Sequence, residues 1–358
     1  MKKLDWYIVK KFVGTFFFAI IILAVIACVI DYTEKVEDFV EKQAPALAIL
    51  NYFKNFVPHI TALLFPLFLF IATIFFTSKM AYKSEIIAIL ASGTSFQRFL
   101  RPYIIGGGFL CLLSLVSNHW IVPNANKQRL AFEDKYIHNA ITSSDRNVHL
   151  QLSKGLYVYM QSYDYRNNVG YRFTAEKMDG TLLKEKLFAD RASYDSVKKQ
   201  WKLYNVMVRT NNDIKESITN YPELTRKYPS FTPKDLEEDD AIKEALTTPE
   251  LNHYIAREKL RGRETLNFFY VERDRRTAQP FAGMILIIIG ACIASRKIRG
   301  GSGLHLALGI VISAMYIMAL QLSTTFSTKA GLNPLIAVWI PNMVFGVVAV
   351  YLYRRQIK

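Results

Sequence analysis

Six runs of 19 to 29 residues contain no Lys, Arg, Asp or Glu: 12–30, 55–78, 102–126, 277–295, 300–328 and 330–353. About 20 apolar residues cross the hydrocarbon of a bilayer. Inside lipid the backbone must satisfy its own hydrogen bonds, so each run is expected to be a helix. A polar insert, 127–276, separates the third run from the fourth. The expected fold class is a polytopic α-helical membrane protein with six transmembrane helices and one inserted extramembrane domain.

The net charge of +15 would point to nucleic acid on a soluble fold. Its distribution excludes that reading. Segments 1–11, 79–101, 296–299 and 354–358 hold 14 basic and two acidic residues. The alternate short segments, 31–54 and Lys329, hold four basic and five acidic ones. This is the positive-inside pattern, which puts both termini in the cytoplasm and the insert outside. Arg273, Arg275 and Arg276 run against it, but long loops translocate largely regardless of charge. Cys28, Cys111 and Cys292 all lie within spans, so no disulfide framework is expected. Val25-Ile26-Ala27-Cys28 resembles a lipoprotein cleavage box, but the apolar run continues through Val29 and Ile30.

The insert reads as β structure from about 145. Leu156, Val158 and Met160 alternate with Tyr157, Tyr159 and Gln161, and Tyr171, Phe173 and Ala175 with Arg172, Thr174 and Glu176. Period two marks strands with one buried face. Lys154-Gly155, Asp179-Gly180 and Asn211-Asn212-Asp213 read as turns, and Trp201–Arg209 as a strand whose phase is ambiguous at Asn205. About seven short strands in 146–220 predict an antiparallel sandwich or open barrel. An acidic stretch at 235–240 is expected to start a helix, and Thr248-Pro249-Glu250 to open another.

No catalytic set emerges. There is no Walker A sequence, so ATP hydrolysis is not expected of this chain. His59, His119, His138, His149, His253 and His305 are scattered without metal-ligand spacing. No metal, cofactor or nucleic acid is expected. No charged residue sits mid-span, which argues against an ion-coupled carrier.

The segment 79–101 is the most informative site. Ser84 suits an N-cap and Gly93 a helix stop. The short helix between them places Ile86, Ile89 and Leu90 on one face. It is too short to span and too apolar for a free loop, so it suits either a partner's groove or the membrane surface.

Lys83-Ser84-Glu85-Ile86-Ile87-Ala88-Ile89-Leu90-Ala91-Ser92-Gly93 resembles the coupling helix of the LptF/LptG lipopolysaccharide-export permeases. The resemblance extends to Leu4-Asp5-Trp6-Tyr7-Ile8-Val9-Lys10, to Trp120-Ile121-Val122-Pro123 closing the third span, and to Thr248-Pro249-Glu250-Leu251, Tyr254-Ile255, Leu260 and Gly262. Arg275-Arg276 with Pro280 completes it. The N-terminus leans towards the LptG branch. The resemblance implies an inner-membrane permease subunit of an ABC exporter, with a periplasmic jellyroll-like β domain. It divides the chain into 1–126 (with the coupling helix 84–93), 127–263 and 264–358. It implies an LptB-like cytoplasmic ATPase dimer, a sister LptF-like permease, LptC-like and LptA-like periplasmic proteins, and lipopolysaccharide as cargo. Ser84, Glu85, Ile86, Ile89, Leu90 and Gly93 would couple to the ATPase. Leu156, Val158, Met160 and Phe173 are candidates for an acyl-chain path, or for plain core packing.

One departure stands out. Where well-known members carry lysines at the outer end of span 1, this chain has Asp31, Glu37 and Asp38. Lys35, with Lys127, Arg129, Arg273, Arg275 and Arg276, is the expected substitute collar for lipid phosphates, since charge-assisted bonds to phosphate favour Arg. The competing readings are a permease for another envelope lipid or glycan, and a membrane-anchored glycan-binding envelope protein.

Overall fold

The computed structural model describes residues 3–137, 143–144, 147–164, 167–212, 215–228, 231–233, 241–260, 266–296 and 302–357. The chain divides into two compact units. One comprises Met1–Ile137, Ala241–Leu251 and Asn267–Lys358, the other His138–Asp240 and Asn252–Leu266. The acidic stretch 235–240 lies outside the described residues.

The first unit is helical: α1 (Lys3–Glu41), α2 (Ala46–Leu63), α3 (Phe65–Tyr82), α4 (Glu85–Ala91), α5 (Phe96–Val116), α6 (Val122–Tyr136), α7 (Ile242–Ala245), α8 (Thr248–Leu260), α9 (Asn267–Ala294), α10 (Ser302–Ala330) and α11 (Pro334–Ile357). α8 continues past this unit at Leu251. Six helices are long and apolar enough to cross a membrane among the described residues. The run 55–78 is not one helix, as expected, but two. Leu64 leaves helical geometry (φ −101°, ψ 9°) two residues before Pro66. A proline lacks the N–H that an uninterrupted helix would use and restricts the residue before it. The acidic segment 31–54 is likewise not a loop. α1 runs on to Glu41, and a turn with Gln43 at φ 50° leads into α2.

α3 and α9 are the most enclosed spans. Gly107 admits Ile287 so closely that a Cβ there would force the Ile287 side chain to shift. Two buried hydroxyls bond across helices: Thr77 Oγ1 donates to Tyr103 Oη at 2.9 Å, and Tyr316 Oη to Asn342 Oδ1 at 2.8 Å. Asn342 Nδ2 donates in turn to Ala278 O at 2.9 Å, which ties α10, α11 and α9 together. Ser323 of α10 donates to Ala337 O on α11, whereas Thr324 and Thr325 return to carbonyls of their own helix.

The second unit carries one antiparallel sheet of eight strands: β1 (Ser143–Ser144), β2 (Val148–Ser153), β3 (Leu156–Met160), β4 (Ser162–Asp164), β5 (Val169–Asp179), β6 (Leu182–Asp195), β7 (Gln200–Asn212) and β8 (Lys215–Arg226). β1 and β2 pair with β4 and β3, and β3 and β4 both pair with β5. From there the order β5-β6-β7-β8 is sequential. The sheet is antiparallel as expected, with longer strands than predicted, and from β5 onward its path is an up-and-down meander. The turn after β5 is shifted by one residue from the expected Asp179-Gly180. Asp179 pairs with Leu182, and the loop is Gly180-Thr181 with Gly180 at φ 60°.

The ambiguous phase at Asn205 has a physical cause. Burial on β5 steps from Gly170 to Phe173, on β6 from Ala189 to Ala192, and on β7 from Leu203 to Val206, each slipping one residue out of alternation. The slips align across the sheet at Arg172, Asp190 and Asn205. Arg172 and Asn205 adopt φ near 50°, and Asn205 Nδ2 donates to Asp190 Oδ2 at 3.1 Å. This crease lets both halves of the sheet turn their apolar side to one core. That core centres on Trp201, which is fully buried, stacks on Phe231 (5.0 Å) and donates Nε1 to Phe231 O at 2.9 Å.

Candidate functional site

α4 is a seven-residue helix between two left-handed residues, Ser84 (φ 60°) and Gly93 (φ 83°). Ser84 occupies the N-cap position without a side-chain capping bond, contrary to expectation. Its carbonyl accepts from Ala88 N at 3.1 Å. Gly93 N donates to Leu90 O at 3.1 Å, and the positive φ explains the glycine. The expected partner-facing set needs correcting at Ile86 and Ile89. Ile86 is 1% exposed and belongs to the core formed by Ile8 and Phe12 of α1, Met80 of α3 and Phe99 of α5. Ile89 packs half-buried against the same core. A helix this short must spend one apolar side on its own anchorage. Ile87 (51% exposed) and Leu90 (36%) form its exposed apolar side. Glu85 is half-buried in the first turn, where a carboxylate suits the helix dipole. Nearby, Arg98 Nη2 lies 2.7 Å from Asp5 Oδ2, joining the starts of α5 and α1.

At the other end of the helices, five of the six cations expected to form a collar are paired with carboxylates. Lys35 Nζ lies 2.7 Å from Asp31 and 3.2 Å from Glu133, and donates to Tyr52 Oη at 2.6 Å. Arg129 Nη1 bonds both carboxylate oxygens of Glu133 at 2.9 and 2.8 Å, and Arg129 Nη2 approaches Glu244 at 3.5 Å. Arg275 and Arg276 share Glu272 at 2.7 and 3.1 Å. Arg273 pairs with Asp274 at 2.8 Å and lies over the Tyr270 ring. Lys127 is exposed. Glu133 thus joins Lys35 to Arg129, and Glu272 joins Arg275 to Arg276. Buried charge requires such partners. Arg273 and Arg275, with side chains 34% and 31% exposed, are the accessible arginines of the collar.

Arg276, 4% exposed, does something else. It donates to Leu246 O and Lys243 O, each at 2.8 Å, and approaches Thr248 Oγ1 at 3.3 Å. Asn126 Nδ2 donates to Glu244 O at 3.2 Å, and His119 Nδ1 sits 2.7 Å from Thr248 Oγ1. His119 lies in a π-helical turn, Ser117–Ile121, between α5 and α6. Together these bonds clasp the strap 241–248 to α6 and α9. Burial, with Glu272 beside it, lifts the Glu244 carboxyl above the usual range.

Sequence reasoning overlooked Glu133, Glu244, Glu272 and Tyr52. Three of the ion pairs, Asp31–Lys35, Arg129–Glu133 and Glu272–Arg276, are four residues apart on helices. That spacing was the available signal.

Between α1 and α2 runs an apolar cleft of about 430 Å³, lined among others by Ile20, Ala24, Cys28, Tyr32, Phe53 and Val57. In the β domain, Val158, Met160 and Phe173 are buried in the core, and Leu156 is half-buried.

The family profile "Lipopolysaccharide export system permease LptF/LptG" matches residues 6–355. The chain is 18% identical over 355 residues to the lipopolysaccharide export system permease protein LptG of Escherichia coli K12, covering 99% of this chain and 98% of that one. The LptG of Escherichia coli O6:H1 matches to the same extent. With nearly the full length matched and six apolar helices flanking a β insert, this chain belongs to the LptF/LptG family of lipopolysaccharide export permeases.

Proposed function

We propose that the chain is the membrane subunit of an ATP-driven lipopolysaccharide exporter, with both termini cytoplasmic and the β domain periplasmic. The observation that carries this reading is α4. Ile86 roots it in the same core as α1, α3 and α5, while Ile87 and Leu90 face outward. A cytoplasmic ATPase of the LptB type, docking on that side with Glu85 at its rim, would move the helices as a body. A sister permease of the LptF type would complete the membrane pair. Lipid acyl chains would enter the apolar cleft of α1 and α2, whose lining keeps them out of water. Arg273, Arg275 and Lys127 would meet head-group phosphates. The β domain would pass the lipid on through LptC-like and LptA-like proteins, with Leu156, Val158, Met160 and Phe173 on its inner face.

The test is co-purification from native membranes of wild type, Glu85→Ala and Ile87→Asp/Leu90→Asp. The reading predicts an ABC ATPase and a second six-span permease with wild type, and loss of the ATPase from the double variant. An ATPase retained by that variant, or absent from wild type under gentle extraction, overturns it.

A further inference from the structure

The face of the β sheet opposite its core holds a concave pocket of about 620 Å³ that none of the roles above uses. Its position follows from the strand register. Leu150, Val158, Ala175 and Leu187 turn to the core, so their neighbours along each strand turn outward. One outward row runs His149, Tyr159, Thr174, Phe188 across β2, β3, β5 and β6. The adjacent row runs Gln151, Tyr157, Glu176, Lys186. Thr174 is only 9% exposed although it faces outward, so it forms a recessed floor beneath the flanking rings. The volume lies within the range of about 300–1,000 Å³ typical of small-ligand sites.

The lining has a specific chemistry. His149 and Tyr159 have ring centroids 4.5 Å apart, and Tyr157 is 42% exposed beside them. Phe188 closes the far side of the first row. Between these rings stand groups able to bond hydroxyls: the Gln151 amide, the Thr174 hydroxyl and the Glu176 carboxylate. Tyr159 Oη donates to Asn147 Oδ1 at 2.7 Å, leaving its oxygen lone pairs able to accept. The two charges cancel, since Lys186 Nζ lies 2.7 Å from Glu176 Oε1. A neutral pocket of this kind gives no reason to hold phosphate. An acyl chain would strip water from its polar groups without replacing their bonds. A sugar ring presents an apolar C–H face and a hydroxyl rim, and so satisfies both halves of the lining. Amphipathic aromatics suit a ligand with one apolar and one wet side.

We propose that this pocket binds the saccharide portion of the exported glycolipid while the acyl chains occupy the apolar side of the protein. The proposal rests on the exporter reading for the identity of the glycolipid. The outward face of the sheet would then take the polar part of one amphiphile and the inner face its apolar part.

The full chain in detergent, titrated with the acyl-free oligosaccharide released from lipopolysaccharide by mild acid, tests this by saturation-transfer NMR. Tyr157→Ala/Tyr159→Ala should weaken binding about tenfold or more, a loss of roughly 1.4 kcal/mol. Val197→Ala, in the exposed turn after β6, should leave binding unchanged. A thermal melt and near-native circular dichroism identify variants that remain folded, and His149→Ala/Phe188→Ala serves as a second pair should the first fail to fold. No saccharide binding by wild type, equal binding by both ring-deleted pairs, or equal affinity for maltoheptaose overturns the proposal. The measurement involves neither an ATPase nor a sister subunit, so loss of the exporter reading in the co-purification experiment is distinguishable from loss of this one.

Discussion

Arg276 Nη1 lies 2.8 Å from the carbonyl oxygen of Leu246, thirty positions earlier in the chain. The same guanidinium holds Lys243 O and the Glu272 carboxylate. One side chain therefore satisfies two backbone carbonyls of the strap and a buried acid at once. Only a planar fork with several donors can do this, and Lys is no substitute.

Removing that fork leaves Glu272 dependent on Arg275 alone and the strap carbonyls without a donor. Arg276→Ala should destabilise the full chain by about 3–5 kcal/mol, the usual cost of breaking a buried ion pair. Arg276→Lys should recover only part of this. Unfolding in detergent measures the loss, and hydrogen exchange at 242–248 should accelerate in both variants. Unchanged exchange there would sink the clasp.

α4 allows its anchoring and docking sides to be separated. Ile86→Ala should cost about 2–5 kcal/mol, because it opens a cavity in a packed core. Ile87→Asp and Leu90→Asp should leave the melting temperature nearly unchanged, as exposed substitutions do. The reverse ranking in a thermal melt would show that the assignment of sides is inverted.

The Glu244 carboxyl is raised by burial and by Glu272. A raised folded value means that the folded chain binds the proton more tightly. The stability this contributes is fully present below the unfolded value of about 4.3, and is lost as pH rises through the folded value. Glu244→Gln, neutral throughout, should remove that slope. The gap in melting temperature between variant and wild type should widen as pH rises from 4 to 7, and a constant gap would refute the assignment.

The crease in the β sheet rests on left-handed backbone at Asn205. Asn visits that region readily, whereas a β-branched residue does so at a cost of about 1–2 kcal/mol. Asn205→Val should therefore destabilise the β domain, and Asn205→Gly should be better tolerated. Denaturant titration followed by Trp201 fluorescence reports the difference, since Trp201 is fully buried in that core.

Much of this protein is set by local pattern. Six charge-free runs and the positive-inside asymmetry require only one-dimensional reading, because lipid demands helices of a minimum length. The strands around Tyr157 and Phe173 and the Lys154-Gly155 hairpin follow from period two and from a glycine that can take φ 80°. The stop of α4 at Gly93 is local in the same sense. Tertiary structure decided what periodicity leaves degenerate. Ile86 and Leu90 look alike on a helical wheel, yet one is rooted among Ile8 and Phe99 and the other is open, because burial depends on which neighbours arrive. The collar arginines and the carboxylates one to four residues from them were visible in the sequence, but the links between segments, as when Arg129 meets Glu244 and Lys35 meets Glu133, were not. The outward pocket exists only because β2, β3, β5 and β6 bring His149, Tyr159, Thr174 and Phe188 into one row. Sequence alone carries the period of a strand, whereas register between strands is a property of the folded sheet.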